Sequence, residues 1–507
     1  MSLNQITFIP GSGGLGRPLL GQDHISALLY YSSTLPSGFT AASRVKKILS
    51  PAQAVALGIV NDYSDETQAT GTYTVTNVGA NGDTVELTFT EPNGTVISFG
   101  KYTKVAGDNS VTLVATAIKN LVNAGTLVHG YKATSALGVV TITARKGLGV
   151  FPNTGAPFAK VEVGTMTGTL AQFSGGVYSK LAVFNYHITE FFRIQPKGVL
   201  YVGIFAIPDA YRFSEVSTMR TVSNGSIRQI GVYVDGAAFS TAKVQTLQSV
   251  AATFLDRKTE MSILYAGDLV GTADITTLTD LGTLNSRYVS SIISQDGAAL
   301  GFSLFKATGR SITTLGASLG VVALSKVHES ISWVAKFNVS NGLELDTLAF
   351  ANGQLYDAVA GDNDNAITAL SDYRYVFLRK FENYAGSFHT DGHTCTSFAS
   401  DYAYIENNRT IRKAISGVNA SLLPELGSPL TLNADGTLLD TTILHLTDAA
   451  APNLDQMVRD GELSAYSIEI DPTQNVLSTS KLIVSVKLLP KGVARWIEVP
   501  IAYVKSL

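Results

Sequence analysis

Residues 63–178 break the pattern of this 507-residue chain. Of those 116 residues 20 are Thr and 16 are Gly, and seven acids balance seven bases. On either side the sequence runs in apolar stretches separated by helical patterns. A Thr- and Gly-rich block with strand periodicity does not continue such a pattern. It therefore reads as an inserted, β-rich outer domain, and its flanks read as two parts of one discontinuous domain. Inside the block, residues 72–76, 84–90 and 139–143 alternate like strands, with turn signals at Asn81-Gly82 and Asn93-Gly94. Val111, Val114, Ala115, Ile118, Leu121 and Val122 recur at helical spacing, with Asp108 or Ser110 as the cap and Gly125 at the exit.

The flanks predict an α/β core. Strand-like runs at 199–205, 227–234, 261–265 and 288–293 are interleaved with helical patterns at 181–194, 241–257 and 312–329. Continuous apolar strands between helices imply a sheet covered on both faces, much of it parallel. Ahead of the block, Ser50, Pro51 and Gly58 supply the cap, first turn and exit of a short helix over 51–57. The first residues give an alternating strand, 3–9, stopped by Pro10 and followed by the glycine-rich run 11–16, which reads as an arm.

From about residue 372 a third texture begins, with helices over 401–415 and 453–461 and a final pair of strands. Leu482, Val484, Val486 and Leu488 line one face of the first strand, residues 490–492 turn, and Ile497, Val499, Ile501 and Tyr503 line the second. Pro500 lacks an N–H, which puts that second strand at an edge or in a junction between chains. The fold class is thus α/β plus β, in four parts. They are an arm (1–20), a discontinuous core (21–62 with 179–371), the insertion (63–178) and a C-terminal domain (372–507).

Composition narrows the function. Charged residues are 15% of the chain, and 37 basic against 40 acidic side chains leave a net charge of -3. A general nucleic-acid-binding surface is not expected from that balance. One cysteine, Cys395, allows no internal disulfide, which fits a reducing compartment. The opening MSLNQITFIP has neither the basic nor the apolar region of a secretion signal, and no uninterrupted apolar run reaches about 18 residues, so no membrane span is expected. A weakly charged surface points to assembly.

Several motifs suggest chemistry, and each meets an objection. Gly11, Gly13 and Gly16 form a G-x-G-x-x-G, but Arg17-Pro18 follow where a helix should begin, so a hinge is the better reading than a cofactor site. Gly316, Ser318 and Gly320 form a G-x-S-x-G, which would make Ser318 the nucleophile of an α/β hydrolase. Helical spacing of Ile312, Leu315, Leu319 and Val322 runs through it, and no local pattern chooses a partner among His389, His393 and His445. His389, Asp391, His393 and Cys395 are all possible zinc ligands, but Gly392 breaks the segment and no second cluster exists. Asp362-Asn363-Asp364 lacks the rest of a calcium loop, and Tyr131 stands where a P-loop starting at Gly125 needs lysine. No cofactor or metal is therefore expected. Arg409, Arg412 and Lys413 fall at i, i+3 and i+4 of a helix, which predicts one positive face, either solvated or docked to an acidic partner.

Other stretches carry a resemblance. They are Gly13-Gly14-Leu15-Gly16-Arg17-Pro18 with Asp23-His24-Ile25-Ser26, residues 49–59 (LSPAQAVALGI), and Tyr186-His187-Ile188-Thr189-Glu190-Phe191-Phe192. Residues 316–333, ending in SKVHESISW, and Ser400-Asp401-Tyr402 leading to Ile405-Glu406-Asn407-Asn408-Arg409 continue it. In this order they resemble the contractile-tail sheath proteins of bacteriophages and related injection machines. The resemblance spans arm, core and C-terminal region and leaves out the insertion.

That resemblance implies a non-enzymatic subunit that stacks as hexameric rings around an inner tube and contracts to drive the tube through a cell envelope. Its partners would be further copies of itself, the inner tail tube protein, and baseplate and tail terminator proteins, without direct nucleic-acid contact or stable membrane insertion. It would be assembled in the host bacterial cytoplasm and belong to a virion tail or to a non-viral injection particle. Ile6, Phe8, Leu482, Val484, Val486, Ile497, Val499, Ile501 and Tyr503 become candidates for strand exchange between subunits, and Arg409, Arg412 and Lys413 for contact with tube or neighbour.

Overall fold

The structure, a computed structural model, describes residues 22–504. Ile6, Phe8 and the glycines of the 11–16 run lie outside the described residues. At the centre is a seven-stranded sheet made of β1 (Ile25–Tyr31), β2 (Val45–Ile48), β3 (Val199–Phe205), β4 (Gln229–Ala238), β5 (Ser262–Asp268), β6 (Val289–Ile292) and β7 (Tyr375–Val376). Their spatial order is β7-β6-β5-β4-β1-β3-β2. β1 runs parallel to both neighbours, with Ala27 opposite Tyr201 on one side and Ile230 on the other. Residues 27–31 of β1 and all of β5 are buried, which is why neither strand alternates in sequence. Only β2 is antiparallel, and it closes one edge with Lys46 and Lys47, charges that discourage further pairing there.

The break in the core domain is closed by hydrogen bonds. Helix α1 (Lys180–Ile194) follows the insertion, and its first turn is capped by Ser179. The carboxylate of Asp65, at the start of the 63–178 block, also accepts from the Lys180 and Leu181 N–H groups at 3.0 and 3.2 Å. The first residues of the block thus cap the helix that follows its last. Next door, Glu66 accepts from the N–H of Gly147 and of Gly149 at 2.6 and 2.7 Å, and Thr67 and Val177 exchange backbone hydrogen bonds at the neck.

Helix α2 (Leu315–Leu324) crosses α1, and its small residues set the spacing. A Cβ at Gly316 would overlap the carbonyl oxygen of His187, and one at Gly320 would lie 2.9 Å from that of Phe191. Gly316→Val should therefore destabilise the core by about 3 kcal/mol through forced separation of the helices, read as a shift in urea midpoint at unchanged slope.

The insertion holds two antiparallel sheets of four and three strands and the helix Val111–Ala124, capped by Ser110. Asp108, the other candidate cap, accepts instead from the Tyr102 hydroxyl at 2.6 Å. Tyr73, Phe89, Phe99, Tyr131, Phe158 and Phe173 form its separate core. Tyr131, the residue in the P-loop lysine position, is packed among them and donates to Glu91 at 2.8 Å.

β7 and the buried Phe377, Leu378 and Cys395 belong to the main core, so the core runs past the boundary expected at residue 371; after it come the helices α3 (Ile405–Leu422) and α4 (Pro452–Arg459) and a two-stranded antiparallel sheet of β8 (Leu463–Glu469) and β9 (Ser485–Pro490). The final hairpin expected from the sequence does not form within the chain. β9 pairs backwards with β8, Val486 opposite Ile468, and residues 491–504 have no regular structure. The strand expected to pair with 497–503 is paired with β8 instead, and the 497–503 segment has no partner strand within the described residues.

Candidate assembly surfaces

The three cations of α3 are turned inward, which corrects the expected positive face. Arg409 is fully buried and Arg412 is 5% exposed. Arg409 donates to the Ser325 hydroxyl at 2.7 Å and to the Ser325 and Lys326 carbonyls at 3.0 and 3.2 Å, so it closes the C-terminal end of α2. Arg412 donates to the carbonyl of Arg228 at the start of β4. Burial, then repulsion from Arg228, pulls the Arg412 guanidinium down to about 9. Lys413 bridges Asp23 at 3.0 Å and Glu462 at 2.7 Å, tying the first described residues to the C-terminal region. Helical spacing showed that the cations share a face, but the face looks onto the core domain.

An open surface lies on the far side of α3. Ile411, Ile415 and Val418 of α3 and Val486 and Leu488 of β9 line a groove of about 630 Å³, with Tyr402 and Leu463 at its walls. α4 packs under β8, whereas β9, besides its pairing with β8, meets α3 and the edge of the small Ala414, Leu454, Met457 and Leu463 cluster, with the groove open between them. Val486 and Leu488 therefore stay only half-buried. Leu482 and Val484, ahead of them, pack instead on the Leu438, Leu446 and Ile470 cluster. The tail is the converse: Trp496, Ile497, Val499, Ile501, Tyr503 and Val504 are all exposed, Ile501 at 90%. The molecule thus carries an apolar groove along a strand and a separate apolar segment without cover.

The residues considered for catalysis and metal binding do not form a site. Ser318 sits inside α2, fully buried, not on a strand-to-helix turn. Its hydroxyl is 2.9 Å from His389 Nε2, a pairing no sequence signal indicated. That histidine is also fully enclosed, burial holds it down at about 4, and its Nδ1 has no hydrogen-bond partner. A nucleophile needs substrate access and an oriented base, so the hydrolase alternative is set aside. Ser318→Ala should cost only about 1 kcal/mol, and folded wild-type protein should not react with a fluorophosphonate probe. Of the zinc-type residues, Asp391 pairs with Arg495, His393 meets the Ser371 hydroxyl at 3.0 Å, and Cys395 is buried in a bridge to Ser286. Among the described residues no three His, Cys, Asp or Glu side chains gather as metal ligands.

Residues 42–393 match the family model "DUF2586, N-terminal domain", and residues 401–507 match "DUF2586, C-terminal domain". The chain belongs to the DUF2586 family. No curated protein matches this DUF2586 chain. Solved structures similar to it include sheath proteins. The helical sheath of the anti-feeding prophage in its contracted state is 14% identical, with 62% of this chain and 81% of that chain covered and a TM-score of 0.43. The contracted sheath complex of the extracellular contractile injection system PVC gives 14% identity, 63% and 80% coverage and a TM-score of 0.40. The sheath tail protein from Listeria innocua gives 10%, 92% and 94%, and 0.36.

Proposed function

We propose that this DUF2586 chain is a non-catalytic structural subunit of a contractile sheath, stacking as hexameric rings around an inner tube and contracting to drive that tube through a target envelope. The observation that supports the reading is that one chain carries both an uncovered apolar tail and an open apolar groove. Residues 496–504 of one subunit, laid along β9 of the next, would add a strand to the two-stranded sheet and bury Ile411, Ile415 and Val418 beneath it. Main-chain hydrogen bonds would give strength and alternate side chains would give register. Tail and groove are different surfaces, so the contact is heterologous and propagates as a ring or helix instead of closing as a dimer. Contraction is then a lattice change in which small gains per subunit add up through cooperative switching.

In this reading the partners are further copies of the chain, the tube, the baseplate and the terminator, and the particle is a phage tail or a related injection machine. Negative-stain electron microscopy of the purified protein, alone and with its candidate tube partner, tests it. Hollow tubes wider than the inner tube are expected, and compact monodisperse particles at every concentration would overturn it.

A further inference from the structure

The tail is uncovered from Trp496 onward, but it is gripped one residue earlier. Arg495 Nε donates to Asp391 Oδ2 at 2.6 Å, and its Nη2 donates to Glu406 Oε1. The guanidinium also lies over the ring of Tyr404, 3.5 Å from its centroid. The receiving carboxylates are built in. Asp391 Oδ1 accepts from the Gly392 N–H at 2.7 Å, and Glu406 is buried in the first turn of α3. Apart from this grip the run 491–504 carries no regular structure.

We infer that Arg495 is the positioning residue of the C-terminal tail: held between Asp391, Glu406 and Tyr404 of its own subunit, it fixes the root from which residues 496–504 project, and its release is coupled to proton uptake by the carboxylate pair. Only the use of the projecting strand rests on the sheath reading; the grip belongs to the single chain. Extended from a fixed root, the nine residues 496–504 reach about 30 Å, so the anchor sets which part of a neighbour they meet.

The coupling follows from what surrounds the pair. Arg409 is the nearest other cation on α3, and it is committed to Ser325 and Lys326. Arg374, on the neighbouring segment, donates to the carbonyls of Thr396 and Ala403. His393 is held down at about 4, by burial first, and stays neutral. Ser330 and Tyr404, the other groups facing the pair, bring no positive charge. Arg409 and Arg374 add their fields to Glu406 and Asp391, but among the described residues Arg495 is the one cation that hydrogen-bonds to both acids. Even with it in place, burial first and Asp391 second push Glu406 up to about 7. Without it two adjacent buried carboxylates cannot both stay ionised, so the detached state binds more protons and is favoured as pH falls.

Trypsin reads the grip directly, because Arg495 must leave its acidic pocket to enter the protease's own. Cleavage after Lys491, exposed in the same tail, is the internal reference. In full-length wild-type protein at pH 8, cleavage after Arg495 should be at least tenfold slower than after Lys491. The ratio should rise by up to tenfold per unit fall in pH between 8 and 6.5. Glu406→Gln or Asp391→Asn, whichever keeps the wild-type melting temperature, should raise the ratio at pH 8 and flatten the pH response. Equal cleavage at both sites in wild type, or a ratio indifferent to pH, would overturn the anchor. Tubes absent from micrographs while the ratio behaves as expected would sink the sheath reading and leave the anchor standing.

Discussion

Deleting residues 496–507 should abolish tube formation at every concentration while moving the melting temperature of the remaining chain by less than about 2 °C. The two halves of that result have separate causes. The described part of the deleted segment is exposed throughout and makes no regular structure, so the subunit loses little that stabilises it. In an assembly the same residues would supply a whole strand and the apolar cover of the groove beside β9, and no other described segment offers a replacement. The cut falls after Arg495 because removing that residue would leave Asp391 and Glu406 without their cation and confuse an assembly defect with a folding one. Micrographs and thermal unfolding on one preparation separate the outcomes. Normal tubes from the shortened chain would mean that the strand is not donated.

Replacing Arg409 by alanine should lower stability by about 3–5 kcal/mol, measured by urea unfolding. The side chain is fully buried and closes the end of α2 through three hydrogen bonds. Its loss leaves a cavity and the Ser325 and Lys326 carbonyls without their donor. A solvated cation at the same place would cost under about 0.5 kcal/mol. An effect that small would restore the exposed face that helical spacing suggested.

Arg409 shows why sequence reading stops where it does. Periodicity reports which residues share a helix face, and it found Arg409, Arg412 and Lys413 together, but it carries nothing about what the face meets. A run of cations on one side is the ordinary mark of a wet surface. Here the carbonyls at the end of a distant helix, the Arg228 carbonyl and the carboxylates of Asp23 and Glu462 receive them, and all of those partners are remote in sequence.

Local chemistry was easier to read. Ser50, Pro51 and Gly58 frame the short helix Pro51–Ala56, and the run at Val199–Phe205 is a strand end to end. Longer helical patterns overshot: the one at 241–257 stops at Ala252 and the one at 312–329 covers only Leu315–Leu324. Apolar spacing continued there into turns that bury side chains without helical geometry. β8 went unread although its residues alternate, because the stronger alternation after it suggested a hairpin with the tail. The pairing of Ser318 with His389 and the acidic pocket for Arg495 join residues 71 and 104 or 89 positions apart, separations at which no sequence pattern operates.

The neck of the insertion has a consequence for how such chains diversify. Thr67 and Val177 lie side by side, hydrogen-bonded in both directions, although more than a hundred residues separate them. A polypeptide that leaves and returns through adjacent backbone positions can be exchanged for any module whose termini are similarly close, or for a short turn, without altering the register of the central sheet. Asp65 lies outside that hydrogen-bonded pair and would still cap α1 whatever follows it. Recombination at this point would give lineages new modules on an unchanged frame, and it marks where a foreign domain can be grafted.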